Sequence, residues 1–455
     1  MRLRRNVAAT TAALVAAATL VSCASGAGGE QTAASIVPEL SKDQEVEIVF
    51  ESYNLIQAGA WTDTVNQLLE EFQAEHPNIT VKAQPPQGDS TSNFSTSNVF
   101  VGSIQTQLLA GKAPDLAQIT FDSLDFAVNQ LGAKPISDLV SNEELEEAFG
   151  GENPMHPNAK VLADWNGKTV GMPYVFSTPV LFYNADMLAQ AGVTNPDFST
   201  WDSVEKIAAQ VSAQTGKPSL DISCVAKGGN WCMQALFKSN GAEVLSEDRT
   251  TIEFGSAEAQ ATVERFAEMT EAGVLRSASS TSSMEGLPKG DTAMVLTSSA
   301  LQGMFMAGAS AGGWKLDAAP MPAFPGKEAV PVNSGSALFV LSDDPAKQRA
   351  SWELAKFLTS DRAYELISSK IGYLPLRTGL VEEGGSLHEW AKANPLIQPN
   401  LDQLDQMQPW VSYPGNNFVQ VDDILGTAIE EVVFYGKPAE ATMTEAQKRA
   451  QELIK

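Results

Sequence analysis

The chain has 455 residues, with 30 Lys and Arg against 55 Asp and Glu and a net charge of −25. Hydrophobic residues make up 43% and charged residues 19%, which excludes both a disordered acidic tail and a membrane bundle. The acidic surplus excludes sequence-independent binding to a nucleic-acid backbone, and three His with three Cys leave little material for a metal site. At roughly 100–200 residues per domain, the length allows two to four domains.

Arg2, Arg4 and Arg5 precede an apolar run from Val7 to Val21 that is too short to span a bilayer comfortably. The run ends in Leu20-Val21-Ser22-Cys23, which is similar to a bacterial lipobox. That implies a lipoprotein signal peptide over residues 1–22 and a lipid on Cys23. Removing residues 1–22 takes three arginines with it, leaving 27 basic and 55 acidic residues and a net charge of −28. The small, polar stretch Ala24 to Ala34 opens a flexible tether expected over residues 23–43. Outside the cytoplasm, Cys224 and Cys232 are expected to be bridged; two buried thiols are the alternative.

In chain order, Val46, Ile48 and Phe50 alternate as a strand with one buried face. Trp61, Val65, Leu68, Leu69 and Phe72 then repeat at helical spacing, and His76-Pro77 ends that helix. Ile79 to Val81 reads as a second strand, residues 83–98 as a polar loop, Val101 to Leu109 as a helix ended by Gly111, and Asp115 to Thr120 as a buried strand. This β-α-β-α-β order predicts a parallel sheet with covering helices. Thr169 to Tyr174 and Val180 to Asn184 are strand-like. Helices are expected at Met187–Ala191, Trp201–Gln214, Val263–Gly273 and Ala350–Ser360, with Ser199 or Thr200 capping the second.

Five short stretches, in order, resemble extracellular solute-binding proteins of carbohydrate ABC importers. They are Glu71 to Val81, Leu109 to Leu116, Pro173 to Asp186 followed by Ala191-Gly192, Gly290 to Met294, and Ile371 to Pro375. The segment Ser177 to Asn184, the pair Ser298-Ser299 and Gly372 to Pro375 are most similar to the glycerol-3-phosphate and glycerophosphodiester-binding members. The resemblance implies ligand contacts at Ser177, Ser298 or Ser299, Gly335 and Tyr373. Those members also use an arginine near the C-terminal segment for phosphate, whereas no Arg occurs here from Thr378 to Pro438. A phosphomonoester would lose its charge partner, so a neutral sugar or a diester is favoured. The implied fold class is α/β of periplasmic-binding-protein type, two α/β lobes around a cleft joined by a multi-strand hinge. Lobe one would comprise 44–174 plus 315–375, and lobe two 175–314 plus 376–455, with Ser177 at the first crossover.

A sugar presents hydroxyl edges and an apolar C–H face, so its site needs short polar groups, a carboxylate or amides, and an aromatic platform. Asp122 follows a strand end, where it either accepts two hydroxyl donors or caps the helix ahead of Ser123 to Leu131. Trp231 either stacks on ligand or packs over the Cys224–Cys232 pair. Trp410 and Tyr413 lie in a Pro/Gly-rich stretch that brings one of them to the cleft, and Tyr53 follows the first strand. Trp61, Trp201 and Trp352 read as packing residues beside helix starts, and Met304 and Met306 as core. His76, His156 and His388 carry no catalytic or metal spacing.

The expected function is a lipid-anchored, monomeric receptor that captures a carbohydrate-like solute by lobe closure and delivers it to ABC permease subunits. It needs no cofactor, no metal, no nucleic acid and no enzymatic step, and it meets the membrane through its anchor only. The rival is an exported glycoside hydrolase, which requires two carboxylates facing each other across the cleft. An adhesin or structural lipoprotein is the third reading.

Overall fold

A computed structural model describes residues 36–56, 59–88 and 97–454. The lipobox with Cys23, and residues 1–35 generally, lie outside the described residues. The strands are β1 (Val46–Glu51), β2 (Ile79–Gln84), β3 (Leu116–Thr120), β4 (Asp164–Trp165), β5 (Lys168–Thr169), β6 (Met172–Ser177), β7 (Pro179–Asn184), β8 (Leu220–Ile222), β9 (Met294–Ser298), β10 (Leu316–Pro320) and β11 (Ser334–Val340).

They form two main sheets, ordered β2-β1-β3-β11-β6 and β10-β7-β9-β8, beside a small β4-β5 hairpin. Strands β1, β2 and β3 run parallel, with Val46 opposite Ile79 and Phe50 opposite Leu116. Parallel pairing requires helical crossovers. The first is the helix Ala60–Glu75, which buries Val65, Leu68, Leu69 and Phe72 and ends at His76, just before Pro77. At roughly 1.5–3 kcal/mol per large apolar side chain, this stripe is what holds the helix to the sheet. Helix Ser97–Leu109 supplies the second crossover.

Only Thr178 separates β6 of the first sheet from β7 of the second, so the chain changes sheets within a single residue. It returns between β10 and β11. Leu316–Pro320, expected in lobe one, instead pairs antiparallel with β7, with Ala318 opposite Phe182. That strand therefore belongs to the second sheet, and the crossover lies after Pro320 rather than at 315. Of the expected tether 23–43, residues up to 35 lie outside the described residues; within the rest, Val37 is buried and its N–H donates to the Leu139 carbonyl at 2.7 Å. Burial and a backbone bond tie Val37 to the end of the helix Ile136–Leu139.

The four helices expected in the second half are present as Ala185–Gln190, Trp201–Thr215, Ala257–Glu271 and Pro345–Leu358, the last two opening earlier than the expected Val263 and Ala350 because Ser256 and Asp344 cap them. Thr200 accepts a hydrogen bond from the Ser203 N–H at 3.2 Å to open Trp201–Thr215, and Gly216, with φ +72°, closes it. The second sheet carries its own apolar layer, in which Phe182 meets Phe305 edge-on at 5.0 Å between ring centres. Trp201 and Trp352 are fully buried, as their packing role requires. Met304 and Met306 are not core residues; both face solvent on Gln302–Gly312. Cys224 and Cys232 are joined as a disulfide. Among the described residues no helix is long and apolar enough to cross a membrane.

Candidate ligand cleft between two sheets

Strand ends from both sheets converge on one cavity. From the first come Thr120 and Asp122 after β3, Ser177 at the end of β6, and Ser334 and Gly335 opening β11; from the second come Thr297 and Ser298 at the end of β9. Aromatic rings of Tyr53, Trp61, Phe100, Tyr373, Trp231 and Trp410 wall it. Of the ten residues expected in the site, Tyr53, Asp122, Ser177, Trp231, Ser298, Gly335, Tyr373 and Trp410 line this cavity.

The polar floor is prearranged. The Ser298 hydroxyl donates to Ser177 Oγ at 2.9 Å, linking the two sheets beside the crossover. Asp122 Oδ1 accepts from Thr120 Oγ1 at 2.6 Å and from Ser123 Oγ at 3.0 Å, so the carboxylate is oriented by its own strand end. The Tyr53 hydroxyl donates to Ser336 Oγ at 3.1 Å, and the Gln118 amide donates to the same oxygen at 2.9 Å. Burial pushes Tyr53 up to about 12, against hydrogen bonds that lower it, so it is a neutral phenol at any physiological pH. Burial likewise raises Tyr373 well above its ordinary value. Trp61 leans over Tyr373 with ring centres 5.7 Å apart, and Tyr53 stacks on Phe100 at 4.8 Å.

Two expected residues are not brought to the cavity. Ser299 turns into a buried network at the crossover, where its Oγ accepts from the Thr178 N–H at 3.3 Å and from the Asn400 amide at 2.9 Å. Thr178 Oγ1 also exchanges hydrogen bonds with Asn400 and Gln403. Tyr413 is buried against Phe254, with ring centres 6.5 Å apart, and its hydroxyl lies near Asp422, whose carboxyl burial raises well above the usual range. Of the pair in the Pro/Gly-rich stretch, Trp410 is the one at the cavity.

Trp61 lines the cavity although its position at a helix start reads as packing. Asn333 escaped the sequence reading altogether. It is 1% exposed, its Oδ1 accepts the Trp410 N–H at 2.8 Å, and its Nδ2 has no partner among the described residues. The polar triplet Asn333-Ser334-Gly335 ahead of an apolar strand was the available signal. Gly335, with φ +116°, is held at the site by backbone necessity: a Cβ there would overlap the Val175 carbonyl oxygen.

Among the described lining residues Asp122 is the only charged side chain. Arg377, which immediately precedes the arginine-free segment, is consumed elsewhere, donating to the carbonyls of Thr359, Gly150, Asn153 and Ala148. The cavity thus offers hydrogen-bonding groups, one carboxylate and apolar ring faces, with no cation for a phosphate. Among the described lining residues no second carboxylate faces Asp122.

Two α/β sheets joined by a single-residue crossover at Thr178 and a longer return over residues 321–333, around such a cleft, define a two-lobed binding protein of the periplasmic-binding-protein fold. The chain belongs to the bacterial extracellular solute-binding protein family, whose sequence profile matches residues 67–399. It is 28% identical over 182 residues to an arabinooligosaccharide-binding protein of Bacillus subtilis, covering 39% of this chain and 37% of that one. It is 26% identical over 295 residues to a lactose-binding protein of Rhizobium radiobacter, covering 63% and 65% respectively. The match thus spans between about a third and two-thirds of these curated relatives. In structure it is similar to UgpB from Mycobacterium tuberculosis in complex with glycerophosphocholine, with TM-score 0.74, 19% identity, and 90% of this chain and 98% of that one covered. It is equally similar to the cyclic alpha-maltosyl-1,6-maltose binding protein of Arthrobacter globiformis, with TM-score 0.74, 16% identity, and 90% and 99% covered. Both of these relatives and the Arthrobacter globiformis neighbour are named as binding proteins.

Proposed function

We propose that this chain is the solute-receiving component of an ABC importer. It is anchored by a lipid on Cys23, captures an uncharged saccharide by lobe closure, and hands it to membrane permease subunits as a monomer. The lobes follow the sheets, lobe one holding the chain from about Val37 to Ser177 and the segment from β11 to about 375, lobe two residues 178–333 and 376–455. A zwitterionic glycerophosphodiester is the second ligand class. The observation that carries this reading is the composition of the cavity wall: aromatic faces on both sides, neutral polar groups at the strand ends, and Asp122 as the one charge among the described lining residues. Such a wall matches the alternating C–H faces and hydroxyl edges of a sugar ring, and its carboxylate repels a phosphomonoester. No covalent step is involved; ligand contacts to both lobes favour the closed form over the open one.

A thermal-shift panel of mono- and oligosaccharides, polyols, glycerol-3-phosphate and glycerophosphodiesters tests it. Saturation at 100 Kd adds about 2.7 kcal/mol of stability and raises Tm visibly. A large shift with glycerol-3-phosphate, or turnover of chromogenic glycosides, would overturn the reading.

A further inference from the structure

A second polar junction joins the two lobes away from the cavity. Asp125 lies on Leu124–Asn129, three residues beyond the cavity carboxylate Asp122. Its Oδ1 accepts from Trp165 Nε1 at 3.3 Å, a partner within its own lobe. Its Oδ2 accepts from the other lobe: from Ser412 Oγ at 2.6 Å and from Arg249 Nη2. The same guanidinium nitrogen donates to the Ser412 carbonyl at 2.7 Å. Next to this junction Phe126 meets Phe418 with ring centres 5.3 Å apart, again one ring from each lobe.

Arg249 is presented to this contact by a constrained loop. Its φ is +60°, a left-handed conformation that a non-glycine residue keeps only when its surroundings hold it. They do so here: Asp248 Oδ1 accepts from Ser246 Oγ at 2.7 Å and from the Thr250 N–H at 3.1 Å, and Gln451 bonds both the Thr250 carbonyl and the Ile252 N–H. The carboxylate end is buried, whereas the Arg249 side chain remains 38% exposed. An ion pair with one wet end is screened by salt and can reopen.

We infer that Asp125, Arg249 and Ser412 form a clasp that sets how readily the lobes close, and through closure sets the affinity of a ligand they never touch. The inference rests on the lobe-closure reading above. The bonds across the junction exist only when the lobes are together, so they lower the cost of closing. The apparent dissociation constant scales inversely with the fraction of closed, binding-competent molecules. The three residues are positioning residues for binding, not ligand contacts.

The test begins with small-angle scattering on the full, unliganded chain, so it requires no identified solute. Arg249→Asn removes the guanidinium while keeping a residue that tolerates the left-handed backbone; Asp125→Asn removes the charge and keeps the shape. Each is expected to raise the radius of gyration, and the wild type is expected to do the same as salt rises from 20 mM to about 1 M, where the Debye length falls to ~3 Å. The double variant should be no more expanded than either single one, because the two groups act as a unit. For the best solute of the panel, both variants should speed dissociation roughly fivefold or more. An unchanged radius in both variants together with a salt-indifferent wild type overturns the clasp, as does strict additivity. Absence of any solute binding by the wild type would overturn the transport reading instead, and the scattering result would still decide the clasp.

Discussion

Ser298 and Ser177 stand 2.9 Å apart, hydroxyl to hydroxyl, at the point where a strand end of one sheet meets a strand end of the other. The contact couples the cavity floor to the crossover. A ligand hydroxyl seated there can bond both side chains, and thereby both lobes. Ser177→Ala is expected to weaken binding about three- to tenfold, the worth of one hydrogen bond, as read by titration calorimetry. The unliganded Tm should barely change.

Asn333 separates recognition from architecture. Its Oδ1 is occupied by the Trp410 N–H, and its Nδ2 is the donor left over at the cavity. Asn333→Asp keeps the shape and the acceptor but replaces that donor with an acceptor. Affinity for the best solute should fall by about tenfold or more. An unchanged affinity would remove Asn333 from the site.

Trp410→Ala deletes a ring from the wall and leaves its backbone bond to Asn333 in place. Lost stacking and apolar contact together predict roughly 10- to 50-fold weaker binding. Trp231→Ala tests the ring of the neighbouring segment, which is tied to Val411 through both ends of the Gln234 amide; if it leaves binding unchanged the stacking role of that side chain fails.

Gly335→Ala is expected to destabilise the fold itself by about 2 kcal/mol or more, since the new Cβ meets the Val175 carbonyl oxygen at a backbone conformation that alanine resists. Calorimetric Tm of the unliganded chain measures it.

Glu71 supplies a pH dependence. Arg362 grips its carboxylate with two bonds of 2.9 Å, Gln67 adds a third at 2.8 Å, and together they hold it down at about 2. A carboxylate lowered in the folded state stabilises the fold above its ordinary value of 4.5, and that contribution is lost as pH falls through about 2. Both side chains reach solvent, so the pair is worth below about 1 kcal/mol. Glu71→Gln should flatten the fall in Tm between pH 4.5 and 2, and leave ligand affinity at pH 7 unchanged.

Local pattern carried the chain a long way. The alternation at Val46, Ile48 and Phe50 and the helical stripe from Val65 to Phe72 require only nearest neighbours and backbone geometry, and the structure has both elements. The scarcity of cations around the C-terminal segment, and the supply of rings and short polar side chains, are likewise inventories that a sequence states outright. They establish the chemical character of a cleft before its shape exists.

Which residues meet is a different kind of information. Ser298 and Ser299 are indistinguishable as neighbours in a row, yet one faces the cavity and the other the Thr178 network, because successive side chains leave a strand end in different directions. Trp61 has the setting of a packing residue, and only the approach of Tyr373 from more than 300 positions away makes it a wall. The strand Leu316–Pro320 has no local mark of the sheet it joins. The opening excess of acid over base excluded nucleic acid at once, but it could not say where any carboxylate would sit. Tertiary structure decided that Asp122 lines the cleft while Asp125, one helical turn on, holds Arg249 across the lobes. Such pairings are set by long-range packing, which no periodicity within a segment encodes.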